Sequence, residues 1–184
     1  DCFEIDFSKK TLKANAAFVG VGNTRRVILA DTLKDKYTHD EIEVILAHEF
    51  AHYKLKHLIK LIILNSSVTL AVFYLIFNTN AHLLSFFGLP GLFDIAALPL
   101  IFIYFLAFSI ITRPLEAFAS RSFERSADLK ALEATKLKEA FISTMNKLAS
   151  QNLADRNPHP IIKFFFFDHP PIDERIKSAE SFSF

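Results

Sequence analysis

A stretch of 52 residues almost without charge limits the folds that this chain can adopt. Between Lys60 and Arg113, only Asp94 carries a formal charge. The stretch contains two apolar runs, Leu58–Phe77 and Leu92–Ile111, each of about 20 residues, and a helix of that length spans about 30 Å, the hydrocarbon thickness of a bilayer. The passage between the runs is rich in asparagine, glycine and proline, which favour a connection. The sequence therefore predicts a transmembrane helical hairpin.

Basic residues lie next to the two outer ends of the predicted hairpin and are absent from its connection. Lys54, Lys56 and Lys60 precede the first run, Arg113 follows the second, and the connection has neither lysine nor arginine. Because basic residues are concentrated in cytoplasmic flanks, both outer ends are predicted to lie in the cytoplasm. The alternative is a pair of buried helices in a soluble protein, but such helices usually keep a polar face and are shorter.

Composition narrows the partners and the metal chemistry. Hydrophobic residues make up 51% of the chain, which argues against disorder, and the formal net charge of +1 provides no basic field for nucleic acid. Cys2 is the only cysteine, so a metal site must use histidine and carboxylate ligands. Since the chain begins at Asp1 without methionine or a leader, we expect an excised or processed piece of a longer protein.

The segments around the hairpin predict a small sheet and several helices. Period-two alternation predicts a strand at Cys2–Phe7, and Asn15–Val21 and Arg25–Ala30 flank a glycine- and asparagine-containing turn, as in a β-hairpin. Thr38 and Glu41 form a capping box for a helix that we expect to continue into the first membrane span. Further helices are predicted between residues 115 and 148 and at the C-terminal end.

An HExxH sequence, His48-Glu49-Phe50-Ala51-His52, lies in the helix that Thr38 begins. The four-residue interval places both imidazoles on one helix face, close enough to share a zinc ion, with Glu49 beside it. The alternative is a pair of interfacial histidines near the membrane. Glu124 and Asp128, one helical turn apart, can complete a His-His-Glu site in which the aspartate orients a histidine, or they can be an exposed acidic pair.

Four segments, in order along the chain, resemble the integral-membrane gluzincin zinc peptidases, which include the CAAX prenyl endopeptidases and the bacterial heat-shock membrane proteases. They are Asn15–Phe18; Arg26–Leu33 leading to Ala47–His52; Ser120 and Arg121 with Glu124, Ala127 and Asp128; and His169–Pro171 with Glu174 and Arg175. The hairpin and residues 52–57 look more like the CAAX-type branch. CAAX-type enzymes have further spans before the catalytic segment, so either this chain is a fragment or its substrate reaches the site differently.

The resemblance implies a mainly α fold with a small antiparallel β-sheet, in which a transmembrane helical hairpin interrupts a gluzincin-like zinc metallopeptidase domain. We expect one domain over residues 1–184. Its parts are a small β-sheet region at 1–37, the HExxH helix at 38–57, the hairpin at 58–111, and the third-ligand helix with a C-terminal active-site segment at 112–184.

The resemblance also implies one Zn²⁺ ion and a hydrolytic reaction. His48, His52 and Glu124 correspond to the zinc ligands, and Glu49 corresponds to the general base. Zinc with three protein ligands keeps one position for water and lowers the pKa of that water to about 7. The predicted activity is a membrane-embedded zinc-dependent endopeptidase that hydrolyses peptide bonds with a Glu49-activated, zinc-bound water.

Three further roles are implied by the resemblance. Asp128 supports a ligand, His169 contacts the reaction intermediate, and Asn15 holds the substrate backbone at an edge strand. By sequence alone, His169 before two prolines is more typical of a turn, and Asn15 of a cap at the start of a strand. The remaining histidines have no ligand spacing, and solvated or interfacial positions are predicted for them. They are His39, His57, His82 and His159.

The substrate stays open between several interpretations. The partners expected are a peptide or protein, with or without a lipid modification, and the lipid bilayer, but no nucleic acid. CAAX-type processing of prenylated peptides is one function; the alternatives are a heat-shock-type membrane quality-control protease and a non-catalytic, zinc-stabilised membrane scaffold. The active site is expected on the cytoplasmic side of the bacterial inner membrane, or of the endoplasmic reticulum membrane in a eukaryote. The Phe164–Phe167 run receives no role.

Overall fold

The computed structural model describes residues 2–6, 16–19, 26–34, 36–92 and 94–183. Within these residues, three short strands precede a set of helices that forms most of the molecule. The strands are β1 (Cys2–Ile5), β2 (Ala16–Val19) and β3 (Arg26–Ala30). The helices are α1 (Asp31–Lys34), α2 (His39–Lys54), α3 (His57–Phe86), α4 (Leu98–Thr135), α5 (Lys138–Asn152), α6 (Pro160–Phe166) and α7 (Ile172–Ser181), with a 3₁₀ turn at Ile95–Ala97.

The sheet is mixed rather than wholly antiparallel. β2 pairs with the central strand β3 in antiparallel register, as predicted, with Ala16 opposite Leu29. β1 pairs with the other side of β3 in parallel register, with Cys2 opposite Val27. The expectation of a purely antiparallel sheet is wrong for this pair, because the roughly 20 residues between β1 and β3 are enough for the crossover that parallel strands need. The predicted turn at residues 22–24 lies outside the described residues.

The two apolar runs form the predicted helical hairpin. α3 and α4 are both long and apolar enough to cross a membrane. Val72 and Ile76 of α3 pack against Leu100 and Tyr104 of α4. Most of the remaining hairpin surface is exposed and largely apolar: of the most apolar 18-residue window in each helix, only 11% is buried in α3 and 17% in α4. A patch of this extent is typical of a surface that another apolar phase covers, and a bilayer is such a phase.

The hairpin helices differ in length from the predicted runs. α3 continues nine residues beyond Phe77, because Asn78 and Thr79 bond back to carbonyls one turn earlier and so remain compatible with a helix. It ends before Gly88, whose φ of 64° is the left-handed conformation that closes many helices. The second helix begins only at Leu98, after the 3₁₀ turn that the Asp94 carboxylate caps.

The HExxH helix does not continue into the membrane span, contrary to expectation. α2 ends at Lys54, Lys56 adopts a left-handed conformation with a φ of 57°, and α3 starts anew at His57. The left-handed residue interrupts the helical hydrogen-bond ladder and changes the chain direction. Neither glycine nor proline lies at this break, so the local sequence does not predict it.

A single helix joins the membrane span to the proposed third-ligand region. α4 runs without interruption from Leu98 through Pro114 to Thr135. Glu124 therefore lies eleven residues beyond Arg113, which is about 16 Å along the helix axis. Glu124 is thus held at a fixed distance from the apolar part of the hairpin.

The helices outside the hairpin share a second core. Val44 of α2, Leu132 of α4, Phe141 of α5 and Ala179 of α7 are all nearly inaccessible to solvent and pack together. This core fixes α2 against α4, and these are the two helices whose side chains meet at the candidate site.

Candidate metal centre

α2 presents His48 and His52 on one face. The predicted capping box starts this helix: the Thr38 amide donates to the Glu41 carboxylate at 2.7 Å, and the Glu41 amide donates to the Thr38 hydroxyl at 3.3 Å. One turn apart farther along, His48 and His52 have ring centroids separated by 4.7 Å and Nε2 atoms separated by 3.1 Å. Both Nε2 atoms therefore point toward the same small volume.

α4 brings Glu124 to the same place. Its Oε1 lies 3.2 Å from His52 Nε2, and its Oε2 lies 3.4 Å from His48 Nε2. One ligand atom from each of the three residues lies within 4.8 Å of the others. The Glu124 side chain is buried, and in the described part of the chain its Oε2 makes no hydrogen bond of good geometry. A buried carboxylate beside two imidazoles is a donor set that fits a divalent cation, and Zn²⁺ is typical of such nitrogen and oxygen ligands.

Glu49 lies beside this group, at the wall of a cavity. The cavity has a volume of about 180 Å³ and is lined by His48, Glu49, Glu124 and His169 together with apolar side chains. Burial raises the pKa of the Glu49 carboxyl above its ordinary value. A carboxylate with a raised pKa is a more effective proton acceptor near neutral pH, as a general base requires.

Asp128 supports His48 from one turn further along α4. Its Oδ1 lies 2.9 Å from His48 Nδ1, while Arg175 of α7 donates to both carboxylate oxygens, at 2.7 Å from Nε and 2.5 Å from Nη2. Burial disfavours the charged form of His48, but its contacts with Asp128 and Glu124 outweigh burial and raise its pKa to about 9. A metal ion that binds at Nε2 would therefore displace a proton from this ring.

Arg175 is a residue of the site to which sequence reasoning gave no role. It fell within one of the segments that carried the family resemblance, but nothing in its spacing indicated a contact with Asp128, 47 residues away. The guanidinium is almost completely buried and forms a bidentate pair, the strong geometry for an arginine and a carboxylate. Its effect is to hold the Asp128 carboxylate in the plane that faces His48.

His57 is the second residue that sequence reasoning missed, and the prediction that it is solvated or interfacial is wrong. Its side chain is buried, and it stacks on Phe123 with a centroid distance of 4.6 Å. Its Nδ1 lies 3.0 Å from His52 Nδ1, and its Nε2 lies 3.2 Å from Ser126 Oγ. The break at Lys56 makes this contact possible, because it turns the first residue of α3 back toward α2. His57 therefore fixes the ring orientation of His52.

Three residues remain from the sequence analysis, and each has a different position relative to the site. His169 lies at the rim of the site, with its Nδ1 2.9 Å from Glu124 Oε2 and its side chain 66% exposed. Asn15 lies outside the described residues; the strand that follows it, β2, is at one edge of the sheet and lies beside α2. Arg121 points away from the cluster and donates to the carbonyl oxygens of Lys163 and Phe167.

Comparisons with known proteins find metalloprotease relatives. The chain is 36% identical over 182 residues to an uncharacterized metalloprotease, YhfN, of Bacillus subtilis, and 29% identical over 198 residues to CAAX prenyl protease 1 of Saccharomyces cerevisiae. Each alignment covers 97% of this chain and 43% of the relative. The crystal structure of S. mikatae Ste24p superposes with a TM-score of 0.80 at 27% identity, over 98% of this chain and 46% of that chain.

These matches confirm the resemblance and the mainly helical fold that the sequence predicted. The chain spans less than half the length of the relatives that it matches. The metalloprotease relatives imply a metal ion. The profile of peptidase family M48 matches residues 1–183, and the chain therefore belongs to this family.

Proposed function

We propose that this chain is the catalytic domain, over residues 1–184, of a membrane-embedded zinc endopeptidase. The observation that carries the proposal is the convergence of His48 and His52 of α2 with Glu124, which lies on α4 beyond its apolar part. Membership of peptidase family M48 supports the reaction class. His48, His52 and Glu124 hold one Zn²⁺ ion, which when bound supplies Lewis-acid polarisation and makes water acidic enough to react near neutral pH.

The side chains around the proposed zinc site have separate roles in the reaction. The Glu49 carboxylate accepts a proton from the attacking water and delivers it to the nitrogen of the leaving amine. Arg175 holds Asp128, and Asp128 holds His48 in one tautomer and orientation. His169, next to Glu124 at the cavity rim, donates a hydrogen bond to the developing oxyanion of the substrate.

The substrate backbone binds as an added strand. β2 is paired on one side only among the described residues and lies beside the HExxH helix, so an extended peptide can join its open side next to the site. Asn15, which directly precedes β2, is proposed to hold the substrate backbone there.

The substrate class proposed is a peptide that ends in a prenylated CAAX sequence. This proposal is supported by the relatives named CAAX prenyl protease 1, which are found in yeast, plants, slime mould and animals. The second candidate is unmodified membrane protein, as for a quality-control protease. The active site is proposed to face the cytoplasm, in the inner membrane of a bacterium or the endoplasmic reticulum membrane of a eukaryote, because the basic residues flank only the outer ends of the hairpin.

The test uses the full-length protein in detergent micelles, with farnesylated and unprenylated versions of one peptide as substrates. Mass spectrometry maps the products, and zinc content is measured on the same samples. Glu49→Gln is expected to retain zinc and lose cleavage, whereas Glu43→Gln, an exposed carboxylate on the same helix, is expected to change neither. Parental cleavage by Glu49→Gln refutes the base assignment. Equal cleavage of both peptides refutes the prenyl preference and favours the quality-control function.

A further inference from the structure

The short helix α6 exposes an apolar surface that no described residue covers. Its sequence is Pro-Ile-Ile-Lys-Phe-Phe-Phe, and none of its residues is buried. Ile161 and Phe166 are 63% and 66% exposed, and Ile162 and Phe164 are about half exposed. Four large apolar side chains on two turns of helix are unfavourable in water, and such a cluster is typical of an interaction surface.

Arg121 and Arg113 attach this helix to α4 near the end of the membrane span. Arg121 donates to the carbonyl oxygens of Lys163 at 2.9 Å and Phe167 at 2.7 Å, and Arg113 forms an ion pair with Asp168 at 2.5 Å. Arg113 is the first charged residue after the apolar stretch, and Arg121 follows it by eight residues, or about 12 Å of helix. α6 therefore lies at the level where the headgroup region of a bilayer begins, since that region adds about 5–8 Å on each side of the hydrocarbon.

Exposed apolar side chains also extend along α4 beyond the hairpin. Beyond Arg113, α4 still exposes Leu115 and Phe118, which are one turn apart and 51% and 61% exposed, and α4 packs against α6. A basic side chain lies at the same end of the hairpin: the ammonium group of Lys60 is 5.7 Å from the centroid of the Phe123 ring. An apolar face with nearby lysines matches a surface of lipid chains and anionic headgroups.

We propose that α6 is an interfacial membrane anchor, which inserts Ile161, Ile162, Phe164 and Phe166 into the headgroup boundary of the bilayer. The inference rests on the membrane location in the proposed function. The anchor is directly connected to the site, because the chain leaves α6 through Phe167 and Asp168 to His169, which contacts Glu124 at 2.9 Å. Docking of α6 on the bilayer therefore fixes the position of the His169 segment next to His48, His52 and Glu124.

Tryptophan fluorescence tests the anchor, because this chain contains no tryptophan. Ile162→Trp is the reporter, and Phe166→Trp, one helical turn further along, is a second reporter on the same face. Phe102→Trp is the control inside the bilayer, because Phe102 is exposed and lies about 16 Å before Arg113 along α4, close to half the hydrocarbon thickness. Phe182→Trp is the control outside it, since Phe182 packs in the core around Leu132, roughly 28 Å beyond Arg113 along α4.

The full-length protein, with any tryptophan outside these 184 residues replaced by phenylalanine, is reconstituted in vesicles of phosphatidylcholine and phosphatidylglycerol. Lipids brominated near the headgroup or deep in the acyl chain quench nearby tryptophan. We expect shallow bromines to quench both α6 reporters at least twice as strongly as Phe182→Trp, and deep bromines to quench Phe102→Trp most. If Phe102→Trp is quenched but both α6 reporters match Phe182→Trp, the anchor is refuted. If Phe102→Trp is not quenched, the membrane location itself is wrong.

Discussion

The buried pair between Arg175 and Asp128 gives a prediction that separates folding stability from metal binding. Both side chains are less than 10% exposed, and the guanidinium donates two hydrogen bonds to the carboxylate. Arg175→Met removes both donors and leaves the buried Asp128 carboxylate without its guanidinium partner, with only His48 beside it. Loss of one member of a buried ion pair costs about 3–5 kcal/mol, so we expect the free energy of unfolding to fall by about that amount.

The same variant is expected to weaken zinc binding. Without Arg175, Asp128 is no longer fixed in the orientation that faces His48, and loss of such a supporting contact typically lowers metal affinity by about 10- to 100-fold. The double variant Asp128→Leu with Arg175→Met removes both charges, so we expect most of the stability to return. Zinc affinity should stay low, because His48 then lacks its carboxylate partner.

Denaturant unfolding of the metal-free protein in detergent measures stability, and competition with a chromogenic chelator measures zinc affinity. Arg125→Met is the matched control: Arg125 pairs with Glu174 at 3.6 Å on the surface, with both side chains more than 40% exposed, and such a pair is worth at most about 1 kcal/mol. If Arg175→Met and Arg125→Met destabilise the protein equally, or if the double variant is as unstable as Arg175→Met, the reasoning is wrong.

Two further predictions concern contacts made to α2 by its neighbours. His57→Ala should lower zinc affinity by about 10- to 100-fold because His52 loses its orienting contact, whereas an exposed control, His39→Ala, should not; equal affinities would remove His57 from the site. Burial raises the pKa of Glu41, but contacts with Lys147, Ser143 and the Thr38 amide outweigh burial and hold that pKa below its ordinary value. Glu41 therefore stabilises the fold at pH values above the pKa of the unfolded carboxyl. This stabilisation is lost as the pH falls through the pKa of Glu41 in the folded protein. Glu41→Gln should therefore cost about 1.5–3 kcal/mol at pH 7 in equilibrium unfolding, with a difference from the parent that shrinks in acid; a constant difference would contradict the assignment.

The sequence predicted the parts of this fold that depend on local pattern. The scarcity of charge between Lys60 and Arg113 indicated the hairpin, because one charged residue in a span is expensive in lipid. The HExxH spacing indicated that His48 and His52 share a face, since four residues make about one helical turn. Thr38 indicated the start of α2 because its capping contacts are local.

The sequence did not predict features that depend on contacts between distant residues. The left-handed conformation of Lys56 is unmarked by glycine, so the break after α2 and the inward turn of His57 had no local signal. Arg175 reaches Asp128 only after α4 and α7 have packed together. β1 pairs with β3 in parallel register, which alternation within either strand cannot indicate, because both registers have the same period of two.

The most direct test of this account is anomalous diffraction at the zinc absorption edge from crystals of the full-length protein grown with zinc. One zinc peak is expected within bonding distance of His48, His52 and Glu124, at about 2.0–2.2 Å from each ligand atom, and Glu124→Ala should abolish it or reduce its occupancy. A peak at other residues, or an active enzyme with no peak between these three side chains, would contradict the central claim.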